Sequence, residues 1–157
     1  DNGAPDGANP AVVVSIPTEP SQPRKKFVAP KFGEGGFSWP VEGEIITEFG
    51  PSARGVHNDG VNIAANVGAR VTVSANGTVA FVGDNIKNFG KLVLVKHDGG
   101  IITAYAHLDS ISVNEGDVLY AGDPIGNVGT TGRVDRPQLH FEIRKSRKPI
   151  DPRSLIS

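Results

Sequence analysis

The sequence predicts an all-β domain, an antiparallel sandwich or barrel of short hairpins with little helix. Its apolar runs are short and rich in β-branched residues, as in Val71-Thr72-Val73 and Leu92-Val93-Leu94-Val95. Glycine, Asn-Gly and Asp-Gly steps punctuate these runs at roughly ten-residue intervals, the spacing expected of strands joined by tight turns. No long stretch carries the roughly 3.6-residue apolar period of an amphipathic helix.

Residues 1–36 stand apart from this pattern. Small and turn-forming residues open the chain, prolines recur at 17, 20, 23 and 30, and Arg24-Lys25-Lys26 lies among them. Such a segment buries too little apolar surface to offset its ordering entropy, so an extended linker is expected. Val12-Val13-Val14 is the one piece suited to adding onto a sheet edge. The folded domain is expected over 37–157. Within it, the runs Val71–Ala75, Gly77–Gly83, Leu92–Val95 and Ile101–Tyr105 read as strands, the last two joined by a turn at Asp98-Gly99-Gly100. His97, just before that turn, is expected to cap a hairpin in solvent and is given no role.

Between Val113 and Gly129, the steps Gly116-Asp117 and Gly122-Asp123 suggest one tight, self-similar hairpin. Glycine supplies a positive φ, and the following aspartate can bond nearby backbone. Lipoyl and biotinyl carrier domains share this cue but need a modifiable lysine at the tip, and the lysines here sit in other contexts. Further on, His140 alternates with Leu139 and Phe141 as on a strand. Tyr105 is expected in the core. Only Pro152–Ser157 is suited to a terminal turn of helix.

Composition excludes several classes. The net charge of −1 and the low aromatic content provide neither a basic field nor stacking platforms for nucleic acid. With no cysteine there is no disulfide framework and no thiolate metal site. No apolar run approaches the roughly 18–20 residues that span a bilayer. Asp1 rather than methionine opens the chain, which leads us to expect a mature form or a fragment.

From Ser38 to Ile156 the chain resembles the LytM (M23 peptidase) family, whose fold is an antiparallel β-sandwich with a groove. The resemblance rests on Trp39-Pro40-Val41-Glu42-Gly43, Gly60-Val61-Asn62-Ile63, Tyr105-Ala106-His107-Leu108, Gln138-Leu139-His140-Phe141-Glu142 and the closing Asp151-Pro152, in that order. Active members of that family hold one zinc through a His, an Asp and a second His, the first two from His-x-Gly-x-Asp and the third from the end of His-x-His. Water takes the fourth position, as catalytic zinc requires. Two further histidines, from Tyr-x-His and from the start of His-x-His, act beside it.

On that pattern the first ligand position is Asn58 and the aspartate position is Asn62, while the third survives as His140. His107 survives, and the first histidine of His-x-His is Gln138. Neutral amides are poor zinc ligands, and loss of the aspartate removes the charge that offsets Zn²⁺. Gln138 cannot exchange protons near neutral pH. His57 adjoins Asn58, but neighbours on a strand point to opposite faces, so it is expected to face away. The expectation is therefore a degenerate site with no catalytic residues, no metal and no cofactor. Asn58, Asn62, His107, Gln138 and His140 would form a polar relic groove, with Arg54, Arg133 and Arg136 on its rim.

The substitution pattern and the basic, Pro-rich linker resemble the family's cell-division members. That resemblance implies a periplasmic regulator that activates peptidoglycan hydrolases, namely N-acetylmuramoyl-L-alanine amidases and, as a further class, lytic transglycosylases. Two alternatives stay open: a residual zinc endopeptidase using His57, His107 and His140, and a passive peptidoglycan-binding module.

Overall fold

The computed structural model describes residues 36–156. The expected linker, apart from its last residue, and the edge-strand idea for Val12–Val14 fall outside them. The described strands run β1 (Glu44–Thr47), β2 (Gly50–Pro51), β3 (His57–Asn58), β4 (Val61–Ala64), β5 (Arg70–Thr72), β6 (Gly77–Ile86), β7 (Gly90–Lys96), β8 (Ile101–Ile111), β9 (Val118–Leu119), β10 (Pro124–Val128), β11 (Gln138–Lys145) and β12 (Lys148–Ile150). The 3₁₀ turns Asp98–Gly100 and Pro152–Ser154 are the helical pieces among the described residues, so the terminal turn of helix is a single short one.

Ten strands form one antiparallel network in the order β1-β4-β11-β8-β7-β6-β9, with β12 on β11 and β10 bridging β5 and β8. β2 and β3 pair only with each other, as a separate small hairpin.

Alternation on the central strands sorts the side chains. Val61 and Ile63 on β4, Leu139, Phe141 and Ile143 on β11, Tyr105 on β8 and Val93 and Val95 on β7 are buried on the core face. Tyr105 and Phe141 stack there with ring centroids 5.4 Å apart, and truncating such a buried ring costs about 3–5 kcal/mol. The intervening positions look the other way. His140 lies opposite Asn62 on one side and Ala106 on the other, and directly opposed residues share a face. Register alone thus places Asn62, Gln138, His140 and Glu142 on one outward floor.

Two expectations need correction. His97 is not a solvent cap: it is 6% exposed. Its Nδ1–H donates to the Asn76 carbonyl at 2.7 Å, and Nε2 is 2.8 Å from Thr103 Oγ1, which is 2.7 Å from the Tyr105 hydroxyl. That hydroxyl in turn accepts the Ser74 N–H at 3.1 Å. A carbonyl can only accept, so with a neutral His97 the chain has one direction, from Ser74 N–H through Tyr105 and Thr103 to His97, while the Ser74 hydroxyl stays buried without a partner among the described residues. Burial lowers the His97 pKa, against an opposing contribution from the Asn76 hydrogen bond.

The 113–129 segment, in turn, is not one hairpin. Its halves pair with different partners, β9 with β6 and β10 with β5 and β8. The two Gly-Asp steps do make equivalent turns. Asp117 accepts the Asn114 N–H at 2.8 Å and Asp123 the Tyr120 N–H at 2.9 Å, with Gly116 and Gly122 at φ +93° and +91°. Likewise the Val71 and Gly77 runs do not pair with each other: β5 joins β10, and β6 joins β7 and β9.

Candidate functional site

β4 and β11 place the polar floor, and β3 brings a third element to it. The Asn62 carboxamide is the hub. Its Nδ2 donates to Gln138 Oε1 at 2.7 Å, and its Oδ1 accepts Asn58 Nδ2 at 3.1 Å and lies 3.1 Å from His140 Nδ1. Gln138 Nε2 donates to the Arg136 carbonyl at 3.1 Å, and Asn58 Nδ2 also reaches the Glu48 carbonyl at 3.3 Å. The structure therefore brings Asn58, Asn62, Gln138 and His140 into one hydrogen-bonded cluster, with the His107 ring 6.1 Å from that of His140.

Along the same face of β11, beyond the amides, runs a charged chain whose Glu142 and Arg144 were given no role in the sequence. His140 Nε2 lies 2.8 Å from Glu142 Oε2, Arg144 Nε donates to Glu142 Oε1 at 2.8 Å, and Arg144 Nη2 reaches Asp59 at 3.3 Å. Burial alone would raise the Glu142 pKa, but the hydrogen bonds from His140 and Arg144 outweigh it and hold the carboxyl below its ordinary range. The signal for this chain was present in the sequence, since positions 138, 140, 142 and 144 share one strand face. Asp59 also bonds His57 Nδ1 at 3.1 Å, and His57 lies edge-on against Phe49. His57 is thus occupied outside the cluster.

His107 is buried at the other side of the floor. Burial lowers its pKa against the opposing hydrogen bond to the Thr131 carbonyl, and the neighbouring His140 lowers it further. Phe89 lies near both histidine rings, at 6.5 Å from His107 and 5.7 Å from His140. Neither Phe89 nor Thr131 was legible in the sequence, because each reaches the site through long-range pairing.

Two hollows meet at Asn62. One, of about 600 Å³, is lined by His107, Arg133, Asp135 and Gln138. The other, of about 620 Å³, is lined by Glu48, Arg54, His57 and Asn58. Arg133 lines the first and Arg54 the second. The exposed Arg136 lines neither hollow and reaches the cluster through its carbonyl.

The donors at the expected metal positions do not fit a catalytic zinc. Asn58 and Asn62 are neutral amides whose polar atoms are spent on each other, on Gln138 and on His140. Among the described residues no group of three or more His, Cys, Asp or Glu side chains could hold a metal ion. What the arrangement offers instead is a hydrogen-bonding amide floor between two hollows, each lined by one arginine and one carboxylate.

Comparison with known proteins agrees with this architecture. The cell division protein DipM of Caulobacter vibrioides is 47% identical over 130 residues, covering 79% of this chain and 21% of that protein. The murein hydrolase activator NlpD of Escherichia coli is 38% identical over 114 residues, covering 73% of this chain and 29% of that protein. The chain thus spans well under two thirds of either relative. A zinc-containing peptidase from Vibrio cholerae superposes with a TM-score of 0.69 at 31% identity, over 74% of this chain and 39% of that one. Residues 56–152 match peptidase family M23. That match takes in β3 to β12 and every residue of the hydrogen-bonded cluster: the chain belongs to peptidase family M23.

Proposed function

We propose that this domain is a non-catalytic member of the family that activates peptidoglycan hydrolases, with N-acetylmuramoyl-L-alanine amidases as its first partners and lytic transglycosylases as a further class. The observation that carries the reading is the closed amide cluster of Asn58, Asn62, Gln138 and His140 at the positions where the family's active members hold zinc. A neutral amide floor neither generates a metal hydroxide nor relays a proton, but it can hold a polypeptide segment through hydrogen bonds. The relatives named as a cell division protein and a murein hydrolase activator support an activating role in the bacterial envelope. We assign the domain to the periplasm on the same ground.

The mechanism we favour is docking at the two hollows around Asn62, with Arg54 and Arg133 flanking the bound segment. Docking activates a partner only through a difference in affinity for its active and resting states, and a tenfold shift needs about 1.4 kcal/mol of that difference.

The test is dye release from labelled peptidoglycan by three samples: the domain with added zinc, an amidase alone, and the two together. Release by the mixture above the amidase baseline, with none from the domain, is the expected result. Zinc-dependent release by the domain alone would overturn the reading and restore the endopeptidase alternative. Sedimentation of the domain with cell-wall sacculi, without any stimulation, would instead leave a passive wall-binding module.

A further inference from the structure

His107 sits inside β8 with φ +67°. A non-glycine residue in the left-handed region is strained and persists only where its surroundings over-determine it. The surroundings here are two loops. The His107 N–H donates to the Phe89 carbonyl at 2.8 Å, and its Nδ1–H donates to the Thr131 carbonyl at 2.8 Å. One residue thus holds the segment before β7 with its backbone and the segment between β10 and β11 with its ring.

Those two segments also hold each other. Thr131 Oγ1 accepts the Lys91 N–H at 3.1 Å and donates to the Leu108 carbonyl at 2.7 Å, while the Arg133 N–H donates to the Asn88 carbonyl at 3.0 Å. They cross backbone on backbone. A Cβ at Gly90 would come within 2.5 Å of Gly132 N, and one at Gly132 within 2.7 Å of Gly90 N. Both glycines have positive φ, +70° and +83°, so each is required twice over, by close approach and by conformation. The β7–β8 register shifts between the Lys91–Leu108 and Val93–Tyr105 pairs. That places the irregularity of β8 at His107.

We infer that His107 is a positioning residue, a clasp between the Phe89 and Thr131 loops that fixes where Arg133 and the Phe89 ring stand over the amide floor. In the family's active members the histidine of Tyr-x-His acts beside the catalytic water; in this chain it is kept for architecture. Its strained backbone turns β8 so that the next pair, Leu108–Val128, belongs to the β10 ladder. Its ring holds the loop that leaves β10, and its N–H holds the residue before β7. The consequence for partner docking rests on the proposed activator function, whereas the clasp itself does not.

The test uses amide hydrogen exchange and hydrolase stimulation on the same variants, His107→Ala and His107→Asn. Asparagine tolerates the left-handed region and can put an amide N–H near the place of Nδ1–H. In the wild type, the Lys91 and Arg133 amides should exchange at least about a hundredfold more slowly than free loop amides, as for hydrogen-bonded backbone that opens only by local unfolding. His107→Ala should speed both by about tenfold, the order expected when one hydrogen bond and its dependants are lost. It should also raise the half-maximal stimulating concentration by a similar factor. His107→Asn should recover both readouts to within about threefold, which a merely space-filling role would not predict.

Unprotected Lys91 and Arg133 amides in the wild type would overturn the clasp whether or not the alanine variant folds. So would wild-type exchange in His107→Ala, or an asparagine variant as defective as the alanine one. If the wild-type domain stimulates no hydrolase, the activator reading fails while the exchange data still decide the clasp.

Discussion

Replacing Glu142 with glutamine is the sharpest probe of what adjoins the amide floor. The Glu142 side chain is 8% exposed and bonds His140 and Arg144 at 2.8 Å each. Glutamine keeps the shape and one acceptor oxygen, but it presents an N–H₂ group to one partner and removes the charge that Arg144 faces. Taking one partner from a buried ion pair costs about 3–5 kcal/mol. The Arg144 side chain is 35% exposed and keeps Asp59 at 3.3 Å, so solvent screening reduces the expected loss to about 2 kcal/mol. For a domain of this size that is a fall in Tm of roughly 6–12 °C.

Urea denaturation at pH 7 measures the loss directly, and repeating it down the pH scale tests its origin. The folded-state pKa of Glu142 lies below the ordinary 4.5. Its contribution is therefore full above pH 4.5 and lost as pH falls through the folded value. The gap between wild type and Glu142→Gln should close over that acid range. A loss under about 0.5 kcal/mol at pH 7, or a gap that persists unchanged in acid, would refute the assignment of a working charged chain beside His140.

Three other outcomes follow from the same geometry. Restoring the family's ligands with Asn58→His and Asn62→Asp together should bring zinc after dialysis from well below stoichiometric to near one ion per chain, read by elemental analysis, because an imidazole and a carboxylate then stand beside His140. Charge reversal of the exposed Arg133 and Arg136 should leave the unfolding free energy within about 0.5 kcal/mol of wild type yet weaken hydrolase stimulation; unchanged stimulation would count against docking at this rim. For His97, whose folded pKa lies below the ordinary 6.5, the unfolded state binds the extra proton, so stability should fall as pH drops below 6.5, by at most about 1.4 kcal/mol per pH unit. His97→Gln should show a shallower slope between pH 7.5 and 5.5 in parallel melts.

Much of the architecture could be read from local pattern. β-Branched runs between glycines marked the four strands β5 to β8, because a residue's fit to a pleated, half-buried surface is a local property. Tyr105 was legible as core for the same reason. Asn58, Asn62 and Gln138 were legible as departures from a ligand pattern only through the resemblance to the M23 family, which supplied the positions to compare. The turn chemistry of the two Gly-Asp steps was also local, each closed by its own aspartate within four residues, although the single hairpin expected from them does not form.

What only the tertiary structure decided is everything that depends on which strands meet. The two arms of the 113–129 segment pair with different strands because register across a sheet is set by the whole buried face, not by the turn between two arms. His97 looked like a solvent cap because the carbonyl of Asn76 and the hydroxyl of Thr103 that satisfy it come from the turn before β6 and from β8. His107 carried no sign of its positive φ, and Phe89 and Thr131 no sign of any role, until β7, β8 and β10 were brought together. A sequence specifies each side chain's chemistry and its local periodicity; the partner that gives that chemistry a task is chosen by long-range packing, where no local pattern reaches.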